Sequence, residues 1–315
     1  MASSMTPDVT HLLLRSGCCP LWLDDPVPIW MFHAVSGRNG PHPLQMVVFY
    51  KDLDKVARGI VSDDYSLKRS LKVKHTTPNK VTITAKNEHQ KGVAGSVEAK
   101  FFHPSSEISI DKLSLSADGS YGLEASRKVL KDVVVKTKVD DTLKGEVSAE
   151  YVTPTVASKL TVDTEFSDAK TTACVTMGPM LLGGEMQTDL SGSKAASAMK
   201  SYSVGASTGG STWGASLTCT NRMQTYNAAG YYFLSPKLTC AMLATATPEK
   251  SENAFTAGVK YTYDPKTTLR AKMTSTGVVT ACATQNCAEK VNFTVTGQVT
   301  RSDTTPKFGL MCQLG

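Results

Sequence analysis

In Val81-Thr82-Ile83-Thr84-Ala85-Lys86, every second side chain is apolar and the side chains between them are polar or small. A repeat of two residues is the periodicity of a β-strand with one apolar and one polar face. The same alternation returns elsewhere in the chain, at residues 71–75, 133–139, 159–163 and 293–299. The chain from residue 70 onward is therefore predicted to consist of β-strands.

Short turn signals separate these stretches, for example Thr77-Pro78-Asn79 and Asp118-Gly119-Ser120. Strands of about ten residues with turns of two to four residues repeat roughly every 12 to 13 residues, so residues 70–315 hold about 19 strands. A sheet of that length with bare edges would invite aggregation, whereas closure into a barrel removes the edges. The expected fold is all-β, an antiparallel barrel of about 19 strands.

The composition excludes helical membrane proteins. The chain has 315 residues, of which 41% are hydrophobic and 20% charged, and its mean hydropathy is −0.16. No stretch approaches the roughly 18 apolar residues of a membrane helix. Periodicity alone leaves open a soluble sandwich or a transmembrane barrel. Uniform strand lengths, small hydroxylated residues on the polar face and charged residues in mid-strand favour the water-filled lumen of a transmembrane barrel.

The charged and reactive residues indicate no enzyme. The net charge is +6, from 34 Lys and Arg against 28 Asp and Glu. This diffuse balance fits a pore that favours anions and equally fits ordinary solvated lysines, and it lacks the clustered basic face of a nucleic-acid binder. The eight cysteines contain no C-x-x-C pair, so we expect free thiols and no metal site. Catalytic and phosphate-binding motifs are missing from the sequence, so no enzyme activity and no cofactor are expected.

Three segments are predicted. Residues 1–45 hold six of the 14 prolines and show no periodicity, so they form an atypical, disordered extension, or the chain starts at Met46. Residues 46–69 hold an amphipathic helix and its linker, because apolar residues recur at spacings of three and four from Tyr50 to Ile60. Residues 70–315 form the barrel. On its polar face, alternation places three candidate lumen-facing basic residues: Lys72, Lys74 and Lys86.

Three stretches resemble the eukaryotic mitochondrial porins, the voltage-dependent anion channels. Residues 50–58, Tyr-Lys-Asp-Leu-Asp-Lys-Val-Ala-Arg, resemble the family's N-terminal helix. Residues 261–275 resemble its C-terminal signature, carried here by Tyr261, Asp264, Thr267, Ala271 and Lys272. Residues 307–314 resemble the last porin strand and its β-signal, with Cys312 as a weaker member.

The resemblance implies a transmembrane barrel whose N-terminal helix lies inside the lumen. It implies that Leu53 and Ala57 pack the helix on the barrel wall. It also implies a closing pair of parallel strands, one from about residue 70 and one from about 305. The residues expected to line the pore from the helix are Lys51, Asp52, Lys55 and Arg58.

The resemblance further implies a voltage-gated, anion-preferring channel of the mitochondrial outer membrane. Its permeants would be small ions and metabolites such as ATP and ADP. Its partners would be the lipid bilayer, other copies of the chain in the membrane, and the sorting and assembly machinery that reads the C-terminal β-signal, with no nucleic acid. One departure concerns gating: the family's double-glycine hinge is replaced by Tyr65-Ser66-Leu67, which predicts a stiffer linker and altered voltage gating.

Three other functions compete with this interpretation. A protein-import pore of the outer-membrane translocase shares the barrel superfamily, but it tends toward an acidic lumen. A soluble β-rich binding protein would show the same periodicity. A bacterial outer-membrane porin is less well matched, because a cleavable signal peptide and a terminal aromatic residue are both missing from the sequence.

Overall fold

The computed structural model describes residues 47–89, 93–104, 106–191 and 199–315. The predicted extension, residues 1–45, lies outside the described residues. The described chain begins with a 3-10 turn, Tyr50–Asp52, and one α-helix, α1, Lys55–Ser62. The strands that follow are β1 (Arg69–Thr76), β2 (Thr82–His89), β3 (Val93–His103), β4 (Ile108–Ser116), β5 (Tyr121–Leu130), β6 (Val133–Asp140), β7 (Gly145–Val152), β8 (Val156–Asp163), β9 (Asp168–Met177), β10 (Met180–Asp189), β11 (Met199–Gly209), β12 (Trp213–Thr220), β13 (Thr225–Ser235), β14 (Leu238–Thr247), β15 (Glu252–Asp264), β16 (Thr267–Thr274), β17 (Val278–Ala288), β18 (Val291–Thr300) and β19 (Asp303–Leu314).

The strands form one closed sheet. Each strand pairs antiparallel with the next in sequence, and β19 pairs parallel with β1, with Arg69 opposite Leu310 and Val73 opposite Leu314. An odd number of alternating strands can close only through a parallel pair. The predictions of about 19 strands and of a parallel closing pair are therefore confirmed.

The register separates two faces all the way round the sheet. Lys72, Lys86 and Ser96 lie opposite one another across β1, β2 and β3, and this side of the sheet is called the polar face. Val73, Ala85 and Val97 define the opposite side, called the apolar face. The division persists through the closing pair, because Lys72 lies opposite Gln313 there.

Burial is the reverse of that in a soluble protein. On the apolar face, Leu115 is 58% exposed and Met273 is 54% exposed. On the polar face, Ser207 is 5% exposed and Thr296 is 1% exposed. Large exposed apolar surfaces in folded proteins mark contact with lipid or a partner. This arrangement is that of a barrel set in a bilayer, since a soluble sandwich would bury its apolar faces against each other.

The N-terminal helix is shorter than its sequence pattern. Tyr50 to Ile60 predicts one continuous helix, but the backbone at Asp54 is not helical and α1 begins only at Lys55. The break has a structural cause: the 3-10 turn contacts β9 and β10, whereas α1 contacts β13 to β16. Within the described residues, no helix is long and apolar enough to cross a membrane.

Candidate functional site

Helix α1 packs on the polar face of four neighbouring strands, β13 to β16. Its buried residues are Ala57, Ile60 and Val61, whose spacing places them on one side of the helix. They meet a local apolar patch on the otherwise polar face, formed by Ala229, Tyr231, Ala241 and Leu243. The helix therefore contacts the wall through apolar side chains. The general polarity of this face does not predict such a contact.

Close approach of the helix to the wall depends on Gly258 of β15. A Cβ atom at this position would lie 2.6 Å from Cγ1 of Val61, so Val61 or the helix would have to shift to admit it. Gly258 lies opposite Lys272 in the register, so it belongs to the polar face. The glycine therefore marks where the helix touches the sheet.

Two basic side chains of β16 hold the C-terminal end of α1. The last four carbonyl groups of an α-helix have no partner within the helix. Arg270 Nη1 donates to the Gly59 carbonyl oxygen at 3.2 Å, and Lys272 Nζ donates to that of Val61 at 3.0 Å. The helix dipole also favours cations at this end. Arg270 and Lys272 thus bind the helix terminus by both hydrogen bonding and charge.

The linker from α1 to β1 is attached to the barrel at several atoms. Arg270 Nη1 lies 3.1 Å from a carboxylate oxygen of Asp64, and Thr296 Oγ1 donates to the Asp64 carbonyl oxygen at 3.2 Å. Lys272 Nζ lies 4.3 Å from the centre of the Tyr65 ring, a cation–π contact. The Tyr65 hydroxyl donates to the Ile60 carbonyl oxygen at 3.1 Å.

The linker also runs close to the last strand. A Cβ atom on Gly309 would lie 2.2 Å from the Ser66 carbonyl oxygen and 2.6 Å from the Leu67 Cα atom. Backbone atoms cannot move aside as a flexible side chain can. The linker thus depends on a glycine in β19, beside the seam where β19 meets β1.

The four predicted pore-lining residues lie around the exposed side of the helix segment. Lys51, Lys55 and Arg58 are exposed, and Asp52 is half-buried. Lys55 Nζ lies 3.5 Å from a carboxylate oxygen of Asp52. Arg58 donates to the Asp54 carboxylate and to the Lys51 carbonyl oxygen. The helix therefore presents a mixed but ordered set of charges away from the wall.

The two residues expected to pack the helix differ in burial. Ala57 is 2% exposed and belongs to the apolar contact with the wall. Leu53 is half-buried and lies in the bend between the 3-10 turn and α1. Ile60 and Val61 make the larger buried contribution, because they continue the spacing of Ala57 toward the C-terminal end.

The three candidate lumen-facing basic residues share the polar face of β1 and β2. Lys72 lies opposite Lys86, and Lys74 lies one pair further along β1. Lys86 Nζ makes an ion pair with Glu98 at 2.8 Å. In the part of the chain that the structure describes, Lys72 and Lys74 make no ion pair. Their charges are available to whatever occupies the space in front of this face.

Charge is distributed unevenly around the polar face. In the first half of the sheet, single carboxylates are shared by lysines of both neighbouring strands. Glu98 pairs with Lys86 and Lys112, and Glu150 pairs with Lys136 at 2.7 Å and Lys159 at 2.9 Å. From β11 to β19, carboxylates stand only at the first or last residue of a strand. The basic residues within those strands are Lys200, Lys260, Arg270, Lys272 and Lys307, and Lys200 forms ion pairs with Asp168 and Asp189.

The residues that carry the C-terminal signature have three separate positions. Asp264 accepts from the backbone N–H groups of Lys266 and Thr267, at 2.7 and 2.6 Å, and so closes the turn between β15 and β16. Tyr261 and Ala271 lie on the apolar face, since each is one residue away from the pair of Lys260 and Arg270. Lys272 alone of the five reaches the helix.

Arg270 and Gly258 are the contacts that sequence reasoning missed. A signal existed for Arg270, because Arg270 and Lys272 are two residues apart in a strand and must share a face. No such signal existed for Gly258, since glycine in a strand has many causes. The described residues contain no group of three or more His, Cys, Asp or Glu side chains placed to hold a metal ion.

Comparison with known proteins places the chain among channel proteins. A family model described as eukaryotic porin matches residues 47–309. The chain is 24% identical over 278 residues to mitochondrial outer membrane protein porin 3 of Arabidopsis thaliana, covering 84% of this chain and 97% of that protein. It is 26% identical over 281 residues to the mitochondrial outer membrane protein porin of 36 kDa of Solanum tuberosum, with coverages of 84% and 97%.

Solved structures align with this chain at lower sequence identity than these relatives. A structure described as "Asymmetric conductivity of engineered proteins" aligns with a TM-score of 0.44 and 9% identity, covering 74% of this chain and 91% of that one. A mutant of Rh. blastica porin aligns with the same TM-score, identity and coverages, 0.44, 9%, 74% and 91%.

Proposed function

The chain belongs to the eukaryotic porin family, and from this membership we propose that it is a diffusion channel for small solutes in the mitochondrial outer membrane. The location follows the names of its relatives in Arabidopsis and potato. The single observation that carries the proposal is the closed sheet of 19 strands with its apolar face exposed. Barrels of 16 or more strands leave room for an aqueous channel.

The helix would lie within this channel and narrow it. Its contacts with Ala241 and with Lys272, both on the polar face, support this position. If the polar face lines the lumen, permeating solutes meet four residues of the helix segment: Lys51, Asp52, Lys55 and Arg58. Leu53 and Ala57 then help to hold the helix to the wall.

Anion preference is the finer part of the proposal. The strands from β11 to β19 carry five basic residues, one of which, Lys200, is paired with Asp168 and Asp189, and they carry carboxylates only at strand ends. Lys72 and Lys74, on the strand beside β19, add two further charges without ion pairs in the described structure. A lumen lined in this way raises the local concentration of anions, including nucleotides such as ATP and ADP.

Voltage gating would be altered because the linker is attached rather than hinged. Asp64 is held by Arg270 and Thr296, and the residues after it run against Gly309. We expect the helix to stay on the wall when the field is applied, so that closure differs between the two polarities.

Assembly would follow the family pattern. The β-signal resemblance at residues 307–314 lies within β19, the strand that closes the barrel. Its recognition by the sorting and assembly machinery, and association with further copies of the chain in the membrane, are part of the same proposal.

Planar-bilayer recording of the full chain tests the proposal. We expect stable conductance steps, a reversal potential that favours chloride in a potassium chloride gradient, and unequal closure at the two polarities. A preparation that inserts into the bilayer but conducts no ions would overturn the proposal that the chain is a channel. Cation preference with block by a presequence peptide would instead indicate a protein-import pore, and symmetric closure would overturn the gating part alone.

A further inference from the structure

A groove of about 400 Å³ crosses the apolar face of β1 to β4. Bulky side chains form its walls, Leu71 and Val73 on one side and Val97 and Leu115 on the other. The register explains the shape, because Val73 and Val97 flank the small Ala85 in one row across the strands. This face is the one that meets lipid, so the groove opens into the bilayer.

The floor of the groove is built from small residues, although neighbouring atoms leave room for a larger side chain there. Gly95 lies opposite Asn87, and Ala117 is the next neighbour across the sheet. A Cβ atom on Gly95 would approach no atom closer than the Ala117 Cβ, at 3.8 Å, which is ordinary contact. Unlike Gly258, Gly95 is therefore not required by backbone crowding. Its missing side chain leaves open space.

A basic rim lies at the end of the groove. Arg69 and His89 face each other across β1 and β2, two residues beyond Leu71 and Asn87 on the same face. Both are exposed, and in the described structure neither makes an ion pair or side-chain hydrogen bond. The nearby carboxylate of Glu88 belongs to the polar face and is paired with Lys68 at 2.7 Å.

We propose that this groove and rim bind one anionic phospholipid of the surrounding membrane. Arg69 offers a planar fork of donors that matches a phosphate, and His89 adds an N–H donor beside it. Asn87 lies between rim and floor, at the depth of the glycerol ester oxygens, and an acyl chain lies over Ala85 and Gly95. The proposal goes beyond channel function and rests only on the membrane location of the barrel.

Charge decides between a lipid and a second copy of the chain. A symmetric dimer brings the same patch of both copies together. Here that contact would set two Arg69 side chains near each other with no carboxylate on the apolar face of β1 to β3 to offset them. An anionic headgroup instead neutralises the rim.

Native mass spectrometry of the full chain tests the assignment. The protein is reconstituted in vesicles of equal amounts of dioleoyl phosphatidylglycerol and dioleoyl phosphatidylcholine, then released in mild detergent. We expect one retained phosphatidylglycerol, preferred over phosphatidylcholine about five-fold or more, since a basic residue at an anionic surface contributes about that factor. Arg69→Gln with His89→Gln should reduce the preference to near one. Gly95→Leu should abolish retention of either lipid.

Gly230→Leu is the matched control. Gly230 lies on the apolar face of β13, and its added Cβ would meet no atom closer than 3.7 Å. This variant should retain phosphatidylglycerol like the unchanged chain. Equal retention of the two lipids by the unchanged chain, or retention by Gly95→Leu equal to that of Gly230→Leu, would overturn the proposal. The proposal would also be overturned if Gly95→Leu left lipid retention unchanged and altered only the fraction of dimer that chemical cross-linking captures. Conductance of the same samples reports on the channel separately.

Discussion

At the scale of the residue, Arg270 connects the N-terminal helix to the barrel wall. Its guanidinium group donates to the Gly59 and Asp63 carbonyl oxygens, each at 3.2 Å, and pairs with Asp64. Its side chain is 16% exposed, so water competes weakly for these contacts. Hydrogen bonds to a charged partner contribute more than neutral ones, and their loss leaves carbonyl groups without a donor.

Arg270→Gln should loosen the helix without opening the barrel. We expect a loss of about 2 kcal/mol of local stability, which corresponds to amide exchange in residues 55–62 faster by roughly 30-fold. Hydrogen exchange with mass spectrometry measures this directly. Lys260→Gln is the control, because Lys260 lies opposite Arg270 on the same face and makes no ion pair in the described structure. Equal exchange rates in the two variants would contradict the role of Arg270.

At the scale of the element, α1 divides into two sides. One side carries Ala57, Ile60 and Val61 and packs on the polar face of β13 to β16. The other carries Lys55 and Arg58, which are exposed. A helix of eight residues is marginal in isolation, so its fold depends on this packing and on the two basic residues that hold its end. Substitutions that change the charge of the exposed side should therefore leave the packing of α1 on the wall intact.

Replacing both exposed cations, Lys55→Glu with Arg58→Glu, should shift ion selectivity toward cations. The permeability ratio of chloride to potassium should fall roughly two-fold or more, because charge beside the permeation path sets local ion concentration. The reversal potential in a potassium chloride gradient measures the ratio. The paired variant Lys55→Arg with Arg58→Lys keeps both charges and should match the unchanged chain. An unaltered ratio in the Glu variant would mean that the helix does not line the pore.

At the scale of the whole molecule, the barrel has two electrostatic halves. Ion pairs shared between neighbouring strands neutralise the polar face from β2 to β10, as at Glu98 and Glu150. The strands from β11 to β19 contain basic residues in their interiors but have carboxylates only at their ends. Anion selectivity should therefore come mainly from the second half.

Lys260→Gln with Lys307→Gln tests this asymmetry. Both lysines lie on the polar face, opposite Arg270 and Gln298 respectively. We expect the chloride-to-potassium permeability ratio to fall roughly two-fold. Lys170→Gln with Glu185→Gln is the control, since it removes an ion pair of 2.8 Å from the first half without changing the net charge. An equal change in the two variants would show that position around the barrel is irrelevant to selectivity.

The sequence pattern alone determined that the chain has about 19 strands with two distinct faces, and the resemblance to the porins added the parallel closing pair. The first two depend on short-range order, because alternation at two residues predicts the face and turn spacing predicts about 19 strands. The structure shows that the count is odd, and an odd count requires a parallel pair. Alternation also places Lys72, Lys74 and Lys86 on the polar face, and the register agrees. Local pattern does not predict the break in the helix at Asp54, because the two helical parts contact two distant groups of strands.

Only the tertiary structure decided which residues meet across the barrel. The contact between Val61 and Gly258, the bonds from Arg270 to Gly59, and the groove over Gly95 join positions that local pattern does not relate. Two glycines of similar sequence context thus have opposite meanings, crowding at Gly258 and open space at Gly95. The physical reason is that alternation fixes the direction of a side chain, whereas its partner depends on where the closed sheet brings distant segments together.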